Sequence, residues 1–120
     1  MKDIHVKIFD TTLRDGQQCP GAGMSFDKNI EYAHLANKVG VDVLEAGFPA
    51  ASHSEYMIVR TIAEELATFP QSPVITALCQ LREAQFAQTI EALQPAVKYN
   101  KARLHTYLPV DPEYNEAGKI

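Results

Sequence analysis

The sequence predicts an α/β fold with parallel strands, built from about four βα units. Short apolar runs of strand length alternate with longer segments whose apolar residues recur near helical spacing. Glycine and proline separate these segments. Strands that alternate with helices through short turns favour a parallel sheet with right-handed crossovers.

The first unit starts with a strand-like run at residues 4–9. A long loop with proline and glycine follows at 10–24. Ser25 is a suitable N-cap for a helix that reaches about residue 39, and Gly40 is suited to end it. Loop and helix together form the first crossover of the predicted sheet.

The second unit has a short strand at 41–46 that is apolar enough to be buried on both faces. A loop at 47–52 leads to a helix at about 54–67. Helical spacing turns four of its residues toward the sheet. They are Ile58, Ile62, Ala63 and Leu66.

The third unit combines a strand at 74–78 with a helix at about 82–93, and Pro95 is expected to end that stretch. After a polar turn, a fourth strand is predicted at 102–108. Every second residue of a strand lies on the same face, so Arg103, His105 and Tyr107 share one face of this strand.

Composition excludes several classes of protein. The net charge is −4 without a basic run, which argues against a nucleic-acid surface. No apolar stretch is long enough to cross a membrane, and the start lacks an apolar signal segment. Two cysteines without a disulfide framework fit a reducing compartment, so a cytoplasmic location is expected.

Charged side chains gather where the first two strands end. Arg14 and Asp15 follow the first strand, and Glu45 lies at the end of the second. Parallel α/β sheets place their chemistry at this edge. A carboxylate there can hold a divalent cation, and a guanidinium can neutralise a developing oxyanion. The alternative is a solvated Arg-Asp pair and a structural salt bridge from Glu45.

Three segments resemble the N-terminal half of the 2-isopropylmalate synthases, a metal-dependent Claisen-condensing group that includes homocitrate and citramalate synthases. They are FDTTLRDGQQCPG at 9–21, GVDVLEAGFPAAS at 40–52 and ARLHTY at 102–107. The resemblance implies a (β/α)8 TIM barrel, which takes about 250 residues. The 120 residues would then be the N-terminal half of the catalytic barrel, without a regulatory domain.

The resemblance also implies an activity, the condensation of acetyl-CoA with 3-methyl-2-oxobutanoate in leucine biosynthesis. Asp15 matches the metal carboxylate, for Mg²⁺ or Mn²⁺ with Zn²⁺ as a further option. Arg14 matches the catalytic arginine that stabilises the oxo-acid oxygen. Gln18 matches an amide beside the metal, although a simple loop hydrogen bond is an equal alternative.

Three further residues complete the set of candidates. Glu45 would act in catalysis by pairing with Arg14 or by contacting the substrate, and a structural salt bridge is compatible with both. His105 matches a substrate-contacting histidine, against the alternative of a hydrogen-bonded core residue. Asp10 is expected to act from behind the site, either by orienting Arg14 or by capping the turn through the backbone.

The resemblance is incomplete. The family completes its metal site with a His-x-His pair, whereas the four histidines of this chain are isolated; they are His5, His34, His53 and His105. The segment Leu108-Pro109-Val110-Asp111 also departs from the family pattern. We therefore expect an incomplete, inactive fragment whose open strand edges favour a homo-oligomer. A homocitrate or citramalate synthase, and a non-catalytic self-associating fragment, are the alternatives.

Overall fold

The computed structural model describes residues 3–112 as one four-stranded parallel sheet with the strand order β1-β2-β3-β4. A helix follows each of the first three strands, which confirms the predicted α/β architecture. The elements are β1 (Phe9–Asp10), α1 (Phe26–Val39), β2 (Val43–Glu45), α2 (His53–Leu66), β3 (Val74–Leu78), α3 (Glu83–Val97) and β4 (Ala102–His105). Single 3₁₀ turns occur at Gly16–Gln18 and Pro49–Ala51.

The two faces of the sheet differ in what they contact. Leu44 and Ile75 are paired in register, and both belong to the core that the helices cover. Glu45 and Thr76 are the next pair in register. Because side chains alternate along a strand, Glu45 and Thr76 lie on the face opposite the helices. Glu45, the last residue of β2, therefore lies at the carboxyl end of the sheet and on the face opposite the helices.

Serine side chains cap the N-termini of the first two helices, and a left-handed glycine ends the first. The Ser25 hydroxyl accepts a hydrogen bond from the Lys28 N–H at 3.2 Å, and Gly40 has the left-handed φ of 91°. Both predicted ends of α1 are thereby confirmed. Helix α2 begins at His53, one residue before the predicted start, because Ser52 caps it through the Glu55 N–H at 3.1 Å.

Three strands are shorter than predicted. β1 covers only Phe9–Asp10, and the apolar residues before it are exposed. Just ahead of β1, the Ile8 N–H donates to the side chain of Asp42 at 2.7 Å and not to a neighbouring strand. The predicted strands 41–46 and 102–108 are observed as Val43–Glu45 and Ala102–His105, whereas β3 has the predicted bounds.

The prediction that Pro95 ends the third helix is wrong. Helix α3 continues to Val97 with Pro95 inside it. Proline has no N–H, so the carbonyl of Glu91 loses its usual partner four residues ahead. Arg60 of α2 replaces that partner, since its Nη1 donates to the Glu91 carbonyl at 2.8 Å. A contact between helices thus compensates for the missing intrahelical hydrogen bond.

The outer strands β1 and β4 carry exposed apolar side chains. Phe9 on β1 is 43% exposed and Leu104 on β4 is 37% exposed. Ile90 and Val97 of α3 line a cavity of about 160 Å³ beside β4. No helix within residues 3–112 is long and apolar enough to span a membrane.

Candidate functional site

The carboxylate of Glu45 is the centre of a polar cluster at the carboxyl end of the sheet. Glu45 is fully buried, and its Oε1 accepts a hydrogen bond from Arg14 Nε at 2.5 Å. Its Oε2 pairs with His105 Nδ1. Each carboxylate oxygen therefore has a strong donor, which compensates for the cost of burying the charge. Arg14 and Glu45 are 31 positions apart in the chain, and Glu45 and His105 are 60 positions apart.

The turn that follows β1 separates the environments of Arg14 and Asp15. The backbone N–H groups of Arg14, Asp15 and Gly16 all donate to the carbonyl of Thr11, at 3.2, 2.8 and 3.2 Å. The Arg14 side chain is 18% exposed, whereas that of Asp15 is 63% exposed. Arg14 Nη1 lies 3.5 Å from Asp15 Oδ1. The guanidinium is thus held by Glu45 while the carboxylate of Asp15 stays open to solvent.

His105 is half-buried and its ring is held on two sides. Its Nδ1 is paired with Glu45, and its ring meets the edge of Phe9 with centroids 5.6 Å apart and an interplanar angle of 89°. A carboxylate accepts hydrogen bonds, so the Nδ1 of His105 donates. In the neutral ring the Nε2 atom then carries the lone pair and can accept a proton.

Asp10 caps the turn, which is one of its two predicted roles. Its Oδ1 accepts from the Thr12 N–H at 2.8 Å, and its Oδ2 accepts from the Tyr32 hydroxyl of α1 at 2.6 Å. Burial alone would raise the pKa of Asp10, but these hydrogen bonds outweigh it and the pKa is lowered. Asp10 therefore ties the turn to α1.

The two neighbouring glutamines have different surroundings. Gln18, the predicted substrate contact, is exposed, and its role stays a prediction. The Gln17 amide instead donates to the Leu13 carbonyl at 2.5 Å and to Asn29 Oδ1 at 2.7 Å. Sequence reasoning missed Gln17. The available signal was Asn29, which precedes the core residue Ala33 by one helical turn on the same face.

Glu55 of α2 is a second residue that the sequence analysis missed. Its Oε2 faces the Phe48 N–H at 3.5 Å in the loop after β2. A Cβ placed on Gly47 would come within 2.5 Å of the same oxygen. Burial raises the pKa of Glu55, and the hydrogen bond from Phe48 offsets only part of this effect. Glycine is therefore needed at position 47 for the Glu55 carboxylate to lie against this loop.

Asp15 suits a hard divalent cation, but as one ligand among several. Its exposed carboxylate offers the oxygen donors that Mg²⁺ and Mn²⁺ prefer. Within residues 3–112, no group of three or more His, Cys, Asp or Glu side chains is arranged to hold a metal ion. Further ligands would have to come from water, from substrate or from other protein residues.

The HMGL-like family model matches residues 5–115. The chain belongs to the HMGL-like family. Because the HMGL-like domain is a TIM barrel, the four parallel strands are part of a (β/α)8 barrel, and the predicted partial barrel is confirmed. The resemblance that the sequence segments carried is confirmed as well.

Curated relatives of this HMGL-like chain are named 2-isopropylmalate synthase. That of Aromatoleum aromaticum is 40% identical over 116 residues, which is 97% of this chain and 21% of the relative. That of Nitrosomonas europaea is 43% identical over 108 residues, or 90% and 20%. In Arabidopsis thaliana, 2-isopropylmalate synthase 2, chloroplastic, is 42% identical over 106 residues, or 87% and 17%. The chain spans about a fifth of the length of these relatives.

Proposed function

We propose that this chain provides the Arg14-Asp15 side of the active site of a 2-isopropylmalate synthase. The reaction would join acetyl-CoA to 3-methyl-2-oxobutanoate in leucine biosynthesis, as an acyltransferase. The observation that carries the proposal is the buried Glu45 carboxylate, which pairs with Arg14 and His105 beside the open carboxylate of Asp15. The relatives named 2-isopropylmalate synthase support the choice of reaction.

The residues of the turn would divide the electrostatic work. Asp15 would be a ligand of a divalent ion, which when bound polarises the 2-oxo group as a Lewis acid. Arg14 would face the oxo oxygen, where negative charge grows as the carbon–carbon bond forms. Its Nε is occupied by Glu45 at 2.5 Å, so the guanidinium is oriented before substrate arrives. A donor oriented in advance needs no reorganisation in the transition state.

His105 is held by the same Glu45 carboxylate that orients Arg14 and would contribute to the same side of the site. Glu45 fixes the ring through Nδ1, which leaves Nε2 as the atom that can contact substrate or accept a proton. Gln18 is exposed on the same turn as Asp15 and would add a polar contact to the 2-oxo acid. Asp10 would support the turn from behind through Thr12 and α1.

Residues 1–120 would be the N-terminal half of the catalytic barrel, acting on small molecules in the cytoplasm and not on nucleic acid. A homocitrate or citramalate synthase differs in the oxo-acid pocket and is the alternative within the class. We also propose a homo-oligomer, because both outer strands expose apolar side chains. For the isolated chain, a non-catalytic self-associating role is the second candidate.

Release of free CoA from acetyl-CoA with Mn²⁺ tests the proposal. The isolated chain is expected to show negligible turnover, since no group of three or more His, Cys, Asp or Glu side chains within residues 3–112 is arranged to hold a metal ion. In the protein isolated at its native length, as established by intact mass, 3-methyl-2-oxobutanoate should be preferred over pyruvate and 2-oxoglutarate. Preference for another oxo acid would move the assignment within the class, and no CoA release with any of them would contradict the proposed function.

A matched pair of variants links the activity to the site. Arg14→Lys keeps the charge but loses the planar fork, so turnover at native length should fall about a hundredfold or more. Arg82→Lys makes the same change at an exposed position and should leave turnover unchanged. Equal activity of the two variants would remove Arg14 from the proposed mechanism.

A further inference from the structure

Two side-chain amides, the half-buried one of Gln17 and the buried one of Asn29, close the long loop between β1 and α1. Gln17 uses both hydrogens of its Nε2, which donate to the Leu13 carbonyl at 2.5 Å and to Asn29 Oδ1 at 2.7 Å. Its Oε1 accepts from the Met24 N–H at 2.9 Å. Asn29 donates in turn to the carbonyls of Met24 and Ser25, at 3.2 and 2.8 Å. Asn29 is only 1% exposed.

This amide pair, Gln17 and Asn29, spans both ends of the loop. Gln17 lies in the 3₁₀ turn that follows Asp15, and Asn29 lies in the first turns of α1. Met24, which both amides contact, is the last residue before the cap of α1. Donors of both amides are fully used, which is the condition under which a buried polar network specifies one arrangement.

The pair acts on the peptide that carries Arg14. The Leu13 side chain is 1% exposed in the core, and the Leu13 carbonyl is held by Gln17. The peptide bond between Leu13 and Arg14 is therefore fixed from both sides. An arginine side chain has many rotamers. A fixed backbone reduces the number of conformations from which the Arg14 Nε has to reach Glu45.

We propose that Gln17 and Asn29 are positioning residues for Arg14. The amide pair sets the direction from which the guanidinium reaches Glu45, and it makes no contact with substrate. As a statement about catalysis this rests on the proposed function. As a statement about the conformation of Arg14 it can be tested without any activity.

Hydrogen exchange of the arginine Nε–H groups in the full 120-residue chain provides the test. The chain has four arginines, at positions 14, 60, 82 and 103, so arginine labelled with ¹⁵N gives few signals. Gln17→Met removes every hydrogen bond of the amide at similar volume. It should raise the exchange rate of the Arg14 Nε–H about tenfold, the factor typical of one lost hydrogen bond.

Internal references separate positioning from loss of stability. The Arg60 Nε–H, which bonds Glu64 at 3.0 Å, and the Ile75 backbone N–H of β3 should exchange at unchanged rates. Gln71→Met makes the same substitution at an exposed position and should change none of these rates. Gln17→Glu still accepts from the Met24 N–H but cannot donate to Leu13. It should show the same selective effect if Gln17→Met does not fold.

Two results would overturn the proposal. One is an Arg14 Nε–H exchange rate that neither Gln17 variant changes. The other is a rise that the Ile75 N–H shares in equal proportion, because that indicates general destabilisation. A selective rise in a protein that releases no CoA at native length would support the positioning and refute only the proposed function.

Discussion

Replacement of Glu45 by glutamine tests the buried bridge at the centre of the site. Glutamine keeps the volume and one acceptor oxygen, so Glu45→Gln creates no cavity. It removes the negative charge that faces Arg14 Nε at 2.5 Å and His105 Nδ1. Among residues 3–112, the guanidinium then keeps the Asp15 carboxylate, 3.5 Å from its Nη1, as its ion-pair partner. The variant is expected to be less stable and to hold Arg14 less firmly.

The size of the effect follows from the burial of the partners. Breaking a fully buried ion pair costs about 3–5 kcal/mol. Here Glu45 is fully buried, but the side chains of Arg14 and His105 are 18% and 36% exposed and can regain water. Relief from burying a carboxylate offsets a further part of the loss. We therefore expect a decrease of about 2 kcal/mol in the free energy of unfolding.

Urea unfolding followed by far-UV circular dichroism at pH 7 measures this difference. Glu31→Gln is the matched control, because Glu31 pairs with Lys28 at 3.2 Å and both side chains are mostly exposed. That substitution should cost less than about 0.5 kcal/mol. A loss for Glu45→Gln no larger than that of the control would refute the bridge as a determinant of stability. Unchanged slopes of free energy against urea would show that the comparison is sound.

Three other outcomes are expected. In a double-mutant cycle, Arg60→Met should lower the free energy of unfolding by about 0.5–1 kcal/mol when Pro95 is present. It should cost less in Pro95→Ala, because the N–H of the new alanine binds the Glu91 carbonyl. Equal costs would contradict the claim that Arg60 replaces the missing intrahelical hydrogen bond. Glu55→Gln should stabilise the chain at pH 7, and the gain should vanish on acidification. Since folding raises the pKa of Glu55, wild-type stability falls as pH rises from the unfolded pKa through the folded one; a pH-independent gain would exclude this cause. Sedimentation across a hundredfold dilution should show association, and a monomer at every concentration would mean that the apolar edges are tolerated in water.

Local signals in the sequence are enough for much of the fold. The strand at Val74–Leu78 follows Pro73 and is apolar apart from Thr76, and both of its ends were predicted. Ser25 and Gly40 end α1 as predicted, because N-cap and left-handed C-cap geometry depend on single residues. The four predicted sheet-facing residues of α2 are all buried.

The errors occur where a distant residue decides the local structure. The run at 4–9 has strand-like residues, but only Phe9–Asp10 has a partner in β2. Pro95 is a helix breaker by itself, yet Arg60 of another helix satisfies the carbonyl it leaves free. Neither contact is visible in a local segment of sequence.

The candidate site, too, could be predicted from the sequence only in part. The placement of Arg14, Asp15 and Glu45 at one edge of the sheet follows from parallel strands and could be predicted. The identity of the paired atoms could not be predicted, since the contact of His105 with Glu45 depends on the register across three strands. Their chemical roles remain predictions.

Binding of Mn²⁺ in the presence of 3-methyl-2-oxobutanoate tests most directly whether this cluster is part of a synthase site. Water-proton relaxation reports Mn²⁺ bound to the 120-residue chain. We predict weak binding that strengthens with the 2-oxo acid and is lost in Asp15→Asn. Asp27→Asn, which removes an exposed carboxylate from the first turn of α1, should bind like the wild type. Undiminished binding by Asp15→Asn would contradict the assignment of Asp15 as the metal ligand and, with it, the proposed site.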